Sequence, residues 1–329
     1  MARAIHHQLT TTQPNPGAAA TRTGSRTAPS ATRRGRRVVT VVVALACAVL
    51  LGLITVARLP HPTPSAQDPI PAAGPAAGSS RQTATVAAQP VTGNQLHQLP
   101  VVTTYATVPG APRDPDPNQP SFVRANGTGY LLAHPDSLQP VYSHPGGPAI
   151  AAVPARQWDG PDCPASTCDT ELPVIVEQPG WVQVLLPVRP NHSVGWLSLA
   201  QIVLTATPYL ILVDRGHFTL TVVRGGTVVG RWPVGVGLAA TPTPAGRTFI
   251  LADLQIVHPT YSPVILPTGT HSDVLETYGG GPGITGIHTW TPSNAVYGRA
   301  SSAGCVRVPP ALLTILSTDV PVGSPVLIT

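Results

Sequence analysis

The chain has 329 residues, of which 40 are Pro, 31 Gly and only three Phe, a composition that excludes one large packed core and requires linker segments. The formal charge of +5 is unevenly placed: residues 1–58 carry eight Arg and no acid, and the remainder carries eleven Arg against fourteen Asp and Glu. The part able to fold is therefore net acidic, which excludes a nucleic-acid-binding domain, whose charge must sit on its folded surface.

Residues 1–37 are rich in Ser, Thr, Arg, Pro and Gly without apolar periodicity, and read as a disordered basic tail. "RRGRR" (33–37) precedes "VVTVVVALACAVLLGLITVA" (38–57), an uncharged run of twenty residues, the length of a bilayer core. Arg at its amino end keeps that end in the cytoplasm. A cleaved signal peptide has a shorter apolar region, roughly 7–15 residues, so the expectation is an uncleaved single-pass transmembrane helix in the cell membrane. Cys47 inside the run is then a thiol buried in lipid. Everything after it is placed outside the cytoplasm, on the cell wall side.

Residues 58–120 form a Pro/Ala-rich linker, for example "LPHPTPSAQDPIPAAGPAAGSS". Such chain favours extended polyproline-like structure, and some sixty residues of it span roughly 100–200 Å at ~3 Å per residue. Residues 121–205 hold short β-like runs punctuated by Pro-Gly and Asn-His turns. Outside the cytoplasm disulfides persist, and Cys163 and Cys168 in "DCPASTCD" are close enough to form one. A metal site would need two more ligands at suitable spacing, and none follows. The stretch "PGWVQVLLPV…SVGWLSLAQI" resembles a bacterial SH3-like β-barrel. Its Trp181 and Trp196 are read as packing residues rather than ligand-binding aromatics.

Residues 207–329 change character. "YLILVDRGHFTLTVVRGGTVVGRWPVGVG" is three β-runs divided by Arg-Gly and Gly-Gly turns. Phe218, Leu220 and Val222 alternate with Thr219 and Thr221 as in a half-buried strand. "PPALLTILSTD" (309–319) is the one good helix, with Pro at its start and Leu312, Leu313 and Leu316 on one side. "SPVLIT" closes the chain as a strand. The class is all-β with one short helix. No phosphate-binding glycine loop is present, and nothing calls for a cofactor.

The chemistry concentrates in "GIHTWTPSNAVYGRASSAGCVRV" (286–308). Cys305 is the odd thiol left in an oxidising space. A thiol becomes a nucleophile when a base or a positive field stabilises its thiolate. Gly304 before it lets backbone amides approach a substrate, so the amides of Gly304 and Cys305 are candidate oxyanion donors. Arg307 two residues on adds positive charge, and a strand through Val306 puts Cys305 and Arg307 on one face. His288 precedes a turn-rich loop that can fold back and bring its imidazole to the sulfur.

This two-part pattern resembles the active-site motif of the L,D-transpeptidase (YkuD-type) family. Ile287-His288 stands for the family's Ile-His, and Ser302, Gly304, Cys305, Val306 and Arg307 for its Ser-His-Gly-Cys segment. "TPTPAGRTFI" is similar to the family's Thr-Pro-x-Gly element. The resemblance covers roughly 207–329 and implies a β-sandwich catalytic domain. It implies that Cys305 attacks a peptidoglycan stem peptide at the carbonyl before the terminal D-Ala. His288 is then the base, and Gly304, Ser302 and Thr289 support the site, Thr289 by fixing the tautomer of His288 through its backbone carbonyl. D-Ala leaves, and an amine of a second stem resolves the thioester into a 3→3 cross-link. Arg307 either holds a stem carboxylate or orders the loop, and Tyr278 lines the cleft. Carbapenem-type inhibitors are expected to acylate Cys305. One departure is Ala303, where the family has a second histidine. A sortase is disfavoured by Arg307 standing at +2 and by Gly304. NlpC-type peptidases are disfavoured because no His follows Cys305. The alternative is a non-catalytic wall-binding or scaffold protein with a degenerate transpeptidase domain.

Overall fold

The computed structural model describes residues 85–329 apart from Thr128 and Asp159. The basic tail, the apolar run 38–57 and the first part of the linker lie outside the described residues. Among the described residues no helix is long and apolar enough to cross a membrane.

Proline content marks residues 85–120 as tether, yet much of this stretch is packed. Val102 and Val108 are buried. Val102 N donates to Ala152 O at 2.7 Å, and Val108 N to Arg189 O at 2.9 Å. The linker reading therefore fails over this part: its few β-branched residues find apolar partners, and its backbone groups pair with backbone groups of the next segment. A one-turn helix, α1 (Gly93–Leu96), interrupts it behind a capping box between Thr92 and Gln95.

Seven strands follow: β1 (Tyr130–His134), β2 (Gln139–Tyr142), β3 (Ala149–Val153), β4 (Leu172–Gln178), β5 (Trp181–Leu185), β6 (Val194–Ser198) and β7 (Val203–Thr207). Their ladder runs β3-β2-β6-β5-β4-β1-β7. It does not stand apart as a small independent barrel. Phe122, Tyr130, Leu172 and Val182 share one core with Leu210, Val223, Phe249, Leu254 and Ile265 of the segment that follows. Cys163 and Cys168 are disulfide-bonded.

The C-terminal segment is a sandwich of two sheets. The first contains β8 (Tyr209–Asp214), β9 (Thr219–Arg224), β10 (Thr227–Pro233), β12 (Gly246–Phe249) and β18 (Pro325–Ile328), in the order β10-β9-β8-β18-β12. The second contains β11 (Gly235–Gly237), β13 (Leu254–Gln255), β14 (Val264–His271), β15 (Ile284–His288), β16 (Arg299–Ser302) and β17 (Val306–Arg307), in the order β13-β14-β15-β17-β11-β16. Between them lie Ile211, Val213, Leu220 and Val222 from one side and Val236, Leu266, Ile287 and Val306 from the other. The helix α2 (Pro310–Thr318) adds Leu312, Leu313 and Leu316 to this core. Phe218 differs from the alternating pattern: it lies before β9 with φ +55°, in the turn, so the strand begins at Thr219.

Arg247 on β12 ties the sandwich to the preceding segment. It is 5% exposed, and its Nε donates to Asp114 Oδ2 at 2.8 Å while Nη2 donates to Asp114 Oδ1 and Nη1 to Ser121 O.

Candidate active site

The site is built where β15 meets β17. These strands are parallel, with Ile287 opposite Val306 and His288 opposite Arg307. Ile287 and Val306 enter the sandwich core. Side chains alternate along a strand, so His288 and Arg307 share the other face, and Cys305, directly before β17, lies within electrostatic reach of Arg307 as His288 does. The same register sets Gly286 beside Cys305, and the Gly286 backbone hydrogen-bonds the sulfur.

His288 is buried, with its Nδ1 2.6 Å from Thr289 O. A carbonyl only accepts, so Nδ1 carries the proton and Nε2 is the basic nitrogen. Thr289 is itself fixed: its amide donates to Ser262 Oγ at 3.1 Å and its hydroxyl to Tyr261 O at 3.0 Å. Burial pushes the pKa of His288 down to about 4, with the Arg307 charge adding to the effect and the Thr289 carbonyl opposing it. Burial raises the Cys305 thiol, opposed by the Gly286 hydrogen bond and the positive charge of Arg307. The resting pair is thus neutral thiol and neutral imidazole at pH 7, not a preformed ion pair, because both charged forms lose more solvation than this site returns.

The loop carrying Cys305 is pinned through its carbonyls. Thr243 Oγ1 donates to Gly304 O at 2.8 Å, and Ser302 Oγ donates to Cys305 O at 2.6 Å. Gly304 has φ +125°, a conformation that a side chain would strain. Its amide, a candidate oxyanion donor from the sequence, donates instead to Ser302 Oγ at 3.1 Å. Ser302 therefore supports the loop, and the Gly304 amide is spent in doing so. The Thr-Pro-x-Gly element explains itself here: Thr243 accepts from Gly237 N at 2.9 Å while holding Gly304 O.

Arg307 is 4% exposed. Its guanidinium lies 4.1 Å from the Trp290 ring centroid, and its Nη1 donates to Ser301 O at 2.7 Å. Of its two sequence roles the geometry matches loop ordering. Tyr278 is half-buried, and its phenol lies within electrostatic reach of Tyr261 and Arg307. Two aromatics were not singled out from the sequence: Tyr261, whose ring centroid is 5.0 Å from that of His288, and Trp290, 5.3 Å from Tyr261. No motif marks Tyr261; only its place at the β13–β14 turn brings it in. Trp290, two residues after His288, was available as a signal. Among the described residues no group of three His, Cys, Asp or Glu is placed to hold a metal ion.

One family model matches this sandwich. Residues 208–328 match the L,D-transpeptidase catalytic domain, YkuD. The match begins at β8 and does not reach residues 121–205, so it leaves the SH3-like reading of that segment unsupported. No curated protein matches the chain. Among solved structures, an L,D-transpeptidase from Mycobacterium smegmatis is 19% identical, covering 45% of this chain and 90% of its own with a TM-score of 0.31. An Enterococcus faecium L,D-transpeptidase mutant is 25% identical, covering 37% of this chain and half of its own with a TM-score of 0.28. An L,D-transpeptidase solved in complex with imipenem is 17% identical, covering 65% of this chain and 100% of its own with a TM-score of 0.33. The matched segment, 208–328, is the one that carries Cys305 and His288.

Proposed function

We propose that the chain is a membrane-anchored L,D-transpeptidase that acts on peptidoglycan stem peptides by cysteine acyl transfer. The observation that carries this reading is the convergence of Cys305 and His288 on Arg307 where β15 meets β17, with Nδ1 of His288 held by the Thr289 carbonyl so that Nε2 is the base. The Cys305 sulfur attacks the carbonyl that precedes the terminal D-Ala of a donor stem as its proton passes to Nε2. The backbone amide of Cys305 stabilises the tetrahedral oxyanion. Collapse breaks the amide bond, the imidazolium gives its proton to the departing nitrogen, and D-Ala leaves behind a thioester. An amine of a second stem attacks that thioester and regenerates the thiol, forming the 3→3 cross-link. Tyr278, Tyr261 and Trp290 wall the donor cleft. The apolar run 38–57 and its Arg flank support placement of this chemistry on the cell wall side of the membrane.

Incubation of the intact protein with a carbapenem tests the reading by mass spectrometry. One covalent adduct, mapped to Cys305 and absent from Cys305→Ala, is expected. An unlabelled protein with its fold and free thiol demonstrated would favour the non-catalytic scaffold, in which Ala303 marks loss of function.

A further inference from the structure

A second cluster of aromatic side chains lies apart from the two main cores: Tyr142 on β2, Trp181 on β5 and Trp196 on β6. Tyr142 and Trp181 meet edge to face at 5.2 Å. Across them runs the segment Thr85–Val91, "TVAAQPV", which carries neither helix nor strand. Trp181 Nε1 donates to Val86 O at 2.7 Å, and Tyr142 OH donates to Gln89 O at 3.0 Å. Ala88 and Val91 pack against the rings. Both pairs, the bonded carbonyls and the packed side chains, are three residues apart. That is the repeat of a polyproline II helix, which has three residues per turn and no internal hydrogen bonds. Thr92, at the end of the segment, has φ −71° and ψ 156°, close to polyproline II values. Pro90 sits within the repeat, where its missing N–H costs nothing. The sheet approaches the segment at Gly146 and Gly180, where an added Cβ would lie 2.5 Å from Val86 and 2.3 Å from Thr85 respectively.

We infer that Tyr142, Trp181 and Trp196 form a binding groove for an extended Pro/Ala-rich peptide in the polyproline II conformation, and that residues 85–91 are its intramolecular ligand. The donors address backbone carbonyls three residues apart, so they select a conformation. The rings select for small or β-branched apolar side chains at the two packed positions. A peptide of the same chemistry supplied in trans takes the place of residues 85–91 when these are released. Linkage within one chain gives the resident segment an effective concentration on the order of millimolar, so the unmodified protein exchanges only against peptide at comparable concentration. The groove is separate from Cys305 and His288, and the inference stands independently of the catalytic reading.

The test uses the full-length chain labelled with fluorotryptophan and observed by fluorine NMR. It contains five Trp, and Trp181→Phe assigns the resonance of Trp181. Ala88→Asp with Val91→Asp is expected to shift that resonance by expelling the segment. A synthetic peptide of residues 82–92 should then return it saturably, and the same peptide carrying the two Asp should not. An unmoved resonance in the double variant overturns the intramolecular ligand. A moved resonance that the peptide fails to restore overturns the groove as a binding site. Should the double variant lose its folded spectrum, Val91→Ala gives a smaller shift with the same peptide response or its absence.

Discussion

Cys305 and His288 divide the chemistry between a thiol raised by burial and an imidazole lowered to about 4. This sets a pH profile that differs from that of a preformed ion pair. A thiolate paired with imidazolium would alkylate at a constant rate from below pH 6. Here His288 is neutral above about pH 4 and the thiol ionises only above its ordinary value of ~8.5. The rate of Cys305 alkylation by iodoacetamide should therefore climb through pH 8–9 with no plateau at neutral pH. A plateau already established at pH 6 would show that the ion pair preexists. That Cys305 and His288 lie at adjoining strands was legible in the sequence, because the cysteine, its glycine and the histidine each sit in a recognisable local context. The resting protonation of the two groups was not, because it depends on the desolvation of both, which only the folded site reveals.

The elements around the site act by holding one another. Ser262, between β13 and β14, accepts from the Thr289 amide and donates to Val264 O. It fixes Thr289, which fixes the His288 ring, and so acts as a positioning residue. Ser262→Ala leaves a buried amide without its acceptor, at a cost of about 1–3 kcal/mol, and loosens the imidazole. The expected result is a fall in acylation rate larger than any change in substrate affinity, with Ser262→Thr restoring most of it. Equal acylation by Ser262→Ala and the unaltered chain would contradict this role. The preceding segment contributes as well. Arg189 Nη2 donates to Pro282 O at 2.9 Å and to Leu275 O at 3.3 Å, bracing the loop that carries Tyr278. The disulfide loop reaches β13, where the Asp253 amide donates to Thr167 O and that of Gln255 to Asp162 O. These contacts were illegible in the sequence. They join residues some 90 positions apart, and no short-range period records them. The α2 helix, by contrast, was readable from its Pro start and its three Leu, and its observed bounds lie within one residue of the expected 309–319. Residues 85–120 were misread because prolines dominate a local reading, whereas burial of Val102 and Val108 depends on the sheet they meet.

Across the whole described molecule, titrating groups are buried in opposing ways. His288 and His271 are both lowered to about 4 by burial. For each, the folded state prefers the neutral ring, so its stabilisation is full above the ordinary value near 6.5 and is lost as pH falls from there toward 4. Each contributes up to about 3 kcal/mol by this linkage. Asp253, raised to about 6 by burial, runs the other way: its stabilisation is present below the ordinary carboxylate value and lost as pH rises through 6. His288 and His271 together outweigh Asp253, with His192, also lowered by burial, adding to the loss and Glu171, raised by burial, opposing it, so acidification costs a few kcal/mol. The urea midpoint should fall between pH 7 and pH 4.5, and an equal or higher midpoint at pH 4.5 would contradict the assignment of both histidines as buried and neutral.

The central claim, that the YkuD domain transfers an acyl group through Cys305, is tested most directly by D-Ala release. The purified protein is supplied with a tetrapeptide stem ending in D-Ala, and free D-Ala is measured with time. The account predicts steady release by the unaltered chain, none by Cys305→Ala, and a rate lowered by a factor on the order of 10²–10⁴ in His288→Ala. Release by Cys305→Ala at the unaltered rate, or none from a folded chain with its Cys305 thiol free, would contradict it.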